Sequence, residues 1–303
     1  MHDSTISRFQ IQAPDGFDLS LVVRSHGWYD LAPLRWDAAR CELGFDVALD
    51  ESTGVSVAVR QAGDVLRGTA QARSALSAAQ RREVKRIARW CLRLDEDLTE
   101  FYRLAREDDR IAWAAELGAG RILRAPSPYE DLIKILCTTN CSWSLTRLMV
   151  SRLVDNLGVD APAGKTFPLA STMARKRESF YRDTIRAGYR SPHFVKLAKM
   201  TDRGEIDPTS WASAADCADL RKQLLALPGI GPYAAAHLLR LSGHYEDAGI
   251  DSWVRGKFKQ MYGLRKPPSD ERIERRYRRF GRWAGLALWM DHTRDWHVTE
   301  AAV

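Results

Sequence analysis

Cysteine is scarce in this 303-residue chain. The five present, at positions 41, 91, 137, 141 and 217, are scattered and odd in number, which excludes the disulfide framework of a small secreted domain and fits a reducing cytoplasm. No His/Cys/Asp cluster has zinc spacing: Cys137 and Cys141 lack a second pair, and buried thiols are their ordinary reading. No run approaches the roughly 20 apolar residues that span a bilayer, which excludes an integral helical membrane protein. The opening MHDSTISRFQ has no apolar core of a secretory signal. No repeat, low-complexity segment or Gly/Ser/Pro-rich linker interrupts the chain, so its parts are expected to share a core.

What is present is enough to fold. Hydrophobic residues make up 45% of the chain, which excludes wholesale disorder. The length allows one large domain or two ordinary ones. A net charge of +7 permits a nucleic-acid partner without demonstrating one.

Residues 1–72 read as an antiparallel sheet lobe. Val55-Ser56-Val57-Ala58-Val59 alternates cleanly and runs into a turn at Gly63-Asp64. Phe45–Leu49 reads the same way, and Phe17–Val23 alternates in part. From 73 to 303 the signal is helical. Ser77-Ala78-Ala79-Gln80 is a capping box, and Pro128 opens a helix whose buried face is Leu132, Ile133, Ile135, Leu136 and Cys137. Further helices are expected near 143–156, 175–187, 192–200, 214–226, 232–242, 252–262 and 270–292. The fold class is therefore α+β, mainly α, with an N-terminal antiparallel β-sheet lobe followed by a two-lobed helical body.

The most informative segment is Leu224-Leu225-Ala226-Leu227-Pro228-Gly229-Ile230-Gly231-Pro232-Tyr233. A helix carrying Leu220, Leu224 and Leu225 runs into a glycine turn, and Pro232 then sits where a new helix tolerates it. Gly229 and Gly231 allow a tight turn with positive φ and no Cβ against a neighbour, with Ile230 tucked between the helices. Backbone N–H groups at the new N-terminus suit a phosphate. The 214–242 segment is thus a helix-hairpin-helix, a sequence-independent binder of DNA backbone; an ordinary αα-hairpin is the alternative.

Beyond this hairpin stands Gly249-Ile250-Asp251-Ser252-Trp253. Hairpin and acid together resemble the helix-hairpin-helix (HhH-GPD) DNA glycosylase superfamily, nearest to its 3-methyladenine and 8-oxoguanine branch. The resemblance covers most of the chain. It implies a sheet lobe and two helical lobes, double-stranded DNA containing a damaged base as partner, a monomer, and a cytoplasmic, nucleoid-associated location. The family's catalytic Asp matches Asp251, although its usual Pro two positions earlier is Gly249 here. Asp251 also reads as a helix N-cap, and the two roles are compatible. A carboxylate near C1′ stabilises the positive charge that develops on the sugar as an N-glycosidic bond breaks.

The resemblance assigns further residues. Cys137-Thr138-Thr139-Asn140 matches the segment whose Asn, here Asn140, enters the gap left by a flipped base. Gly188-Tyr189-Arg190 matches a wedge in which the aromatic intercalates and the Arg reads the unpaired base; a surface Tyr-Arg turn is the alternative. The second base-reading Arg is Leu145. The base-sandwiching positions fall on His237 and His292, with Tyr233 beside them in the base pocket, and a guanine-recognising Gln is replaced by Leu288. Each His also reads as an ordinary structural residue. Where bifunctional relatives carry a Schiff-base Lys, this chain has Tyr233. No cofactor is required: no Cys follows Cys217, so no iron–sulfur cluster is expected. A monovalent cation, K⁺ or Na⁺, is implied on the carbonyls of Leu225, Leu227 and Ile230.

The basic stretch from Glu271 to Arg282 reads as a solvated face over buried Ile273, Tyr277 and Phe280, while Lys257, Lys259, Arg265 and Lys266 add to a basic surface. The expectation is a monofunctional base-excision glycosylase acting on an alkylated or deaminated purine, with oxidised guanine next. The alternatives are a bifunctional 8-oxoguanine-type glycosylase/AP lyase and a non-catalytic binder of damaged DNA.

Overall fold

A computed structural model describes residues 4–298. The fold is α+β and mainly helical, and it divides into two compact units. The first runs to Asp95 and resumes over Ile122–Thr209; the second takes Glu96–Arg121 and the described residues from Ser210 onward.

The first unit contains the sheet expected over 1–72. Strands β1 (Thr5–Gln12), β2 (Arg35–Asp37), β3 (Glu42–Ala48), β4 (Gly54–Ala62) and β5 (Val65–Ala72) form one antiparallel sheet in the order β1-β5-β4-β3-β2. Register follows the apolar alternation: Leu43 lies opposite Val59, Phe45 opposite Val57 and Val47 opposite Val55, all buried. Gly63 and Asp64 form the two-residue turn that joins β4 to β5.

Phe17–Val23 corrects the strand expectation. Asp18 accepts the Leu21 N–H at 2.8 Å and caps a short helix over Leu19–Val23. Its buried residues, Leu19, Val22 and Val23, follow helical spacing, and the cap decides against the partial alternation.

Helices complete this unit. The Ser77–Gln80 capping box forms and opens Ala78–Cys91. Ser127 caps Pro128–Thr138, with Pro128 in the first turn. That helix is buried on every side, and its charged residues are satisfied internally. Lys134 pairs with Glu130 at 2.6 Å, and Asp131 accepts the Trp28 indole N–H at 2.6 Å and the Ala125 N–H at 3.0 Å. The helix expected at 175–187 is instead a short turn at Glu178–Phe180 followed by a π-type turn over Tyr181–Ile185 that ends on Arg186 at φ 61°, with a separate short helix before it at Ala170–Ala174.

The second unit is helical. Its core gathers Phe101, Ile111, Leu238, Leu239, Phe258, Ile273, Tyr277 and Phe280. The single helix expected over 270–292 divides: Asp270–Tyr277 ends, Gly281 adopts φ 54°, ψ −125°, and a new helix runs Ala284–Val298. The glycine permits a backbone conformation that stops the apolar periodicity from continuing as one rod. Among the described residues, no helix is long and apolar enough to cross a membrane.

Candidate functional site

The hairpin lies wholly in the second unit. Its first helix, Cys217–Leu225, is capped by Asp216, and its second, Pro232–Ser242, begins at Gly231 with no capping side chain. Gly229 takes φ 79° in the turn, the Ile230 N–H donates to Leu227 O at 3.2 Å, and Ile230 is buried. Gly231 departs from expectation. Its φ is −94°, and a Cβ there would meet nothing within 4 Å. Neither strain nor a protein neighbour demands glycine at 231. Its small size keeps the ground in front of an uncapped helix N-terminus open, where an anion is favoured.

Both hairpin helices hold the loop that carries Asp251. Arg221, on the first, donates to Asp247 Oδ2 at 2.8 Å, and Asp247 Oδ1 accepts the Gly249 N–H at 2.8 Å. Arg240, on the second, is almost fully buried and donates to Ala248 O at 3.3 Å. Burial pulls its guanidinium down to about 10, opposed by the negative field of Asp247, Tyr245, Asp251 and Tyr233. Gly249 has φ 62°, outside the range of proline. A Cβ there would sit 2.9 Å from an Arg240 nitrogen and 3.2 Å from Ala236 Cβ, which accounts for the departure from the resembled pattern. Asp251 caps the helix Ser252–Met261 through Oδ1, which accepts the Val254 N–H at 2.7 Å. Oδ2 takes no hydrogen bond among the described residues.

Aromatic rings connect the hairpin to this loop. Tyr233 and His237 have centroids 4.5 Å apart, His237 meets Trp289 edge-on at 6.0 Å, and Trp289 meets Trp253 at 5.9 Å. Trp296 closes a triangle with the last two, at 5.9 Å from Trp253 and 5.7 Å from Trp289. Trp253, on the helix that Asp251 opens, is 40% exposed, and Trp296, on the helix Ala284–Val298, is 38% exposed, so two indoles reach solvent.

In the first unit, Asn140 and Tyr189 meet. Asn140 has φ 46° and donates through Nδ2 to the Tyr189 hydroxyl at 3.3 Å, and that hydroxyl lies 3.0 Å from Thr139 Oγ1. Both residues are exposed. Arg190 is buried: its guanidinium donates to Leu136 O at 3.2 Å, Ala187 O at 3.4 Å and Thr139 O.

No family model matches the chain. The DNA-3-methyladenine glycosylase of Bacillus subtilis is 25% identical over 206 residues, 63% of this chain and 65% of that protein. The N-glycosylase/DNA lyase of Saccharomyces cerevisiae is 27% identical over 129 residues, 38% of this chain. The matches thus span just under two thirds of the first relative's length and 34% of the second's. Among solved structures, Clostridium acetobutylicum 8-oxoguanine glycosylase/lyase bound to double-stranded DNA superposes with a TM-score of 0.72 over all of both chains at 16% identity.

The chain has the helix-hairpin-helix DNA glycosylase fold. Within that fold, two expected site residues are turned inward. Arg190 is inward, and its guanidinium ties the Tyr189 turn to Thr139. His292 is completely buried, with Nδ1 2.9 Å from Leu288 O and the Trp253 ring tilted against it with centroids 6.0 Å apart. Leu288 is buried too. An exposed aromatic next to His292 is Trp253, whose place two residues after the acid was the available clue. Arg240 was missed as well; one charge inside the apolar run Leu238-Leu239-Arg240-Leu241 was its signal.

The basic stretch behaves as a structural face of the same fold. Ile273, Tyr277 and Phe280 are buried, Arg276 pairs with Asp108 at 2.7 Å and Arg282 with Glu100 at 3.0 Å. Lys257 is held by Asp295 at 2.6 Å. In the hairpin turn, Leu227 O accepts one backbone hydrogen bond and none reaches the Leu225 or Ile230 carbonyl among the described residues. Those oxygen lone pairs suit a hard cation.

Proposed function

We propose that this protein is a DNA base-excision glycosylase that hydrolyses the N-glycosidic bond of a flipped, damaged purine and stops at the abasic site. The observation that carries the reading is Asp251: a carboxylate fixed by its own helix cap, on a loop gripped by both helices of a hairpin with an uncapped, open N-terminus. Backbone phosphate docks at the hairpin, where N–H groups and helix dipole favour it without regard to sequence. The base must leave the stack to be reached, at a cost of a few kcal/mol. Asn140 and Tyr189 occupy the gap, the ring replacing lost stacking.

Asp251 Oδ1 keeps the carboxylate oriented, and Oδ2 meets the positive charge that grows at C1′ and orients the attacking water. Tyr233 supplies no amine, so no Schiff base forms there and the sugar–phosphate backbone is left intact. Tyr233, His237 and Trp253 form the wall for the base. Indole faces grip electron-poor rings, which favours alkylated purines, ahead of deaminated and then oxidised ones. A monovalent cation on the carbonyls of Leu225, Leu227 and Ile230 would add positive charge beside the docked phosphate. The protein acts as a monomer on nucleoid DNA in this reading.

The second reading is a glycosylase/lyase. It is favoured by the lyase named in the yeast relative and in the Clostridium structure, and opposed by Tyr233. A panel of duplexes with 3-methyladenine, 7-methylguanine, hypoxanthine, uracil or 8-oxoguanine separates the readings, run with wild type and Asp251→Asn. Asn caps helices as well as Asp, so the variant keeps its melting temperature. Base release should fall by about 10²–10³-fold or more, and wild-type strands should break only after hot alkali. Breakage without alkali would establish the lyase; release from no duplex, with damage binding intact in both proteins, would leave a non-catalytic binder.

A further inference from the structure

Three side chains that no sequence motif links meet beside the hairpin. Cys217 is the first residue of its first helix, and His244 and Glu246 follow its second. The Cys217 sulfur, a His244 ring nitrogen and a Glu246 carboxylate oxygen all lie within 4.8 Å of one another. The absence of zinc spacing in the sequence is therefore no guide here: the antiparallel hairpin brings residues together that are far apart in the chain.

We propose that Cys217, His244 and Glu246 bind one zinc ion, with water in the fourth position, as a clasp on the hairpin. The donor set is one that zinc accepts, thiolate, imidazole and carboxylate together. The His244 ring is held by a backbone carbonyl, as metal-ligating imidazoles commonly are: Nε2 lies 2.9 Å from Trp211 O. In the tautomer that donates from Nε2, Nδ1 carries the lone pair. The Cys217 thiol is hydrogen-bonded to Glu246, and the Asp247 and Asp216 carboxylates lie close enough to add negative field that attracts a dication. When the ion enters, the thiol proton leaves to solvent and a metal–sulfur bond replaces it, so no oxidant or reductant is involved.

The ligands come from the beginning of the first hairpin helix and the turn after the second, the end remote from Gly229. Glu246 directly precedes Asp247, which Arg221 holds. The ion would therefore fix the hairpin and the start of the Asp251 loop as one body. This inference is independent of what the site does to DNA.

The test uses the full chain, stripped with a chelator and titrated with Co²⁺. One equivalent should produce a thiolate-to-cobalt charge-transfer absorption that Zn²⁺ bleaches, and Zn²⁺ alone should raise the thermal-unfolding midpoint. Cys217→Ser and Glu246→Gln, the latter at an exposed position, should each weaken binding by about 10–100-fold or more and abolish the thermal shift, while Cys141→Ser retains both signals. Absence of the band at stoichiometric cobalt, its persistence in Cys217→Ser, or a midpoint indifferent to Zn²⁺ would each overturn the proposal.

Discussion

An Arg240 guanidinium nitrogen lies 2.9 Å from the point where a side chain on Gly249 would begin. Glycine at 249 and arginine at 240 are thus one arrangement: the left-handed loop residue leaves room for a buried cation, and the cation ties down Ala248 O just ahead of the acid. Gly249→Ala should cost about 1–3 kcal/mol from the positive φ and the close contact together, and should slow base release. Placed in an Arg240→Ala background, the same change should cost measurably less, because the contact is gone. Urea titrations of the four proteins give the coupling energy. Strict additivity would mean the two residues do not share the space described.

Tyr189 and Arg190 are adjacent in sequence and opposite in role. Tyr189 is 54% exposed and Arg190 4%. Tyr189→Ala should leave stability within about 0.5 kcal/mol, as at an ordinary surface site, and weaken binding to an abasic-site duplex by about 10–100-fold, the worth of one stacked ring. Arg190→Ala should do the reverse first. It removes the buried guanidinium's bonds to the carbonyls of Leu136, Ala187 and Thr139, so the melting temperature falls. The ratio of activities against different opposite bases should be unchanged. A shifted opposite-base ratio with an unshifted melting temperature would restore Arg190 as a reader.

The buried helix Pro128–Thr138 makes the first unit sensitive to pH. Burial raises the Glu130 carboxyl to about 7, with Lys134 opposing, and the Asp131 carboxyl to about 6, with the Trp28 and Ala125 hydrogen bonds opposing. Unfolded, both titrate near 4. A raised folded-state value means the native protein holds protons that the unfolded chain has lost. This contribution is complete below the unfolded value and disappears as pH rises towards 7. Glu130→Gln removes one such group. The stability of wild type relative to this variant should therefore fall as pH rises from about 4.5 towards about 7. Urea midpoints at both pH values measure it, and parallel curves would show that Glu130 is ionised throughout.

Local signals in the sequence were strong where one residue decides a backbone. The Ser77–Gln80 box, Pro128 and the Pro228–Pro232 turn each specify a helix boundary through their own hydrogen-bonding or φ limits, and the hairpin with Asp251 could be read from them. What sequence spacing could not show is which side of a residue faces protein. Arg190 and His292 have residue types that read bases, yet packing turns both inward. Phe17–Val23 is short enough that either period fits, and the Asp18 side chain settled it. Arg240 and the Cys217–His244–Glu246 cluster exist only because helices converge, which no linear spacing encodes.

Trp253 provides the sharpest test of substrate class. It is the exposed ring on the helix that Asp251 caps, in contact with Trp289, His292 and Trp296 and 40% exposed. An indole face attracts a cationic ring more than a neutral one, by about 0.5–2 kcal/mol. Trp253→Ala should therefore lower release of 3-methyladenine and 7-methylguanine by about 10–100-fold, and lower release of neutral hypoxanthine several-fold less. Trp253→Phe should recover most of the loss, since a smaller ring still stacks. Single-turnover release from matched duplexes gives the ratios without interference from product release. If all three bases fall by one factor in both variants, Trp253 merely supports the Asp251 cap. In that case the preference for alkylated purines has to come from Tyr233, His237 and Trp296, the other rings of the same cluster that reach solvent.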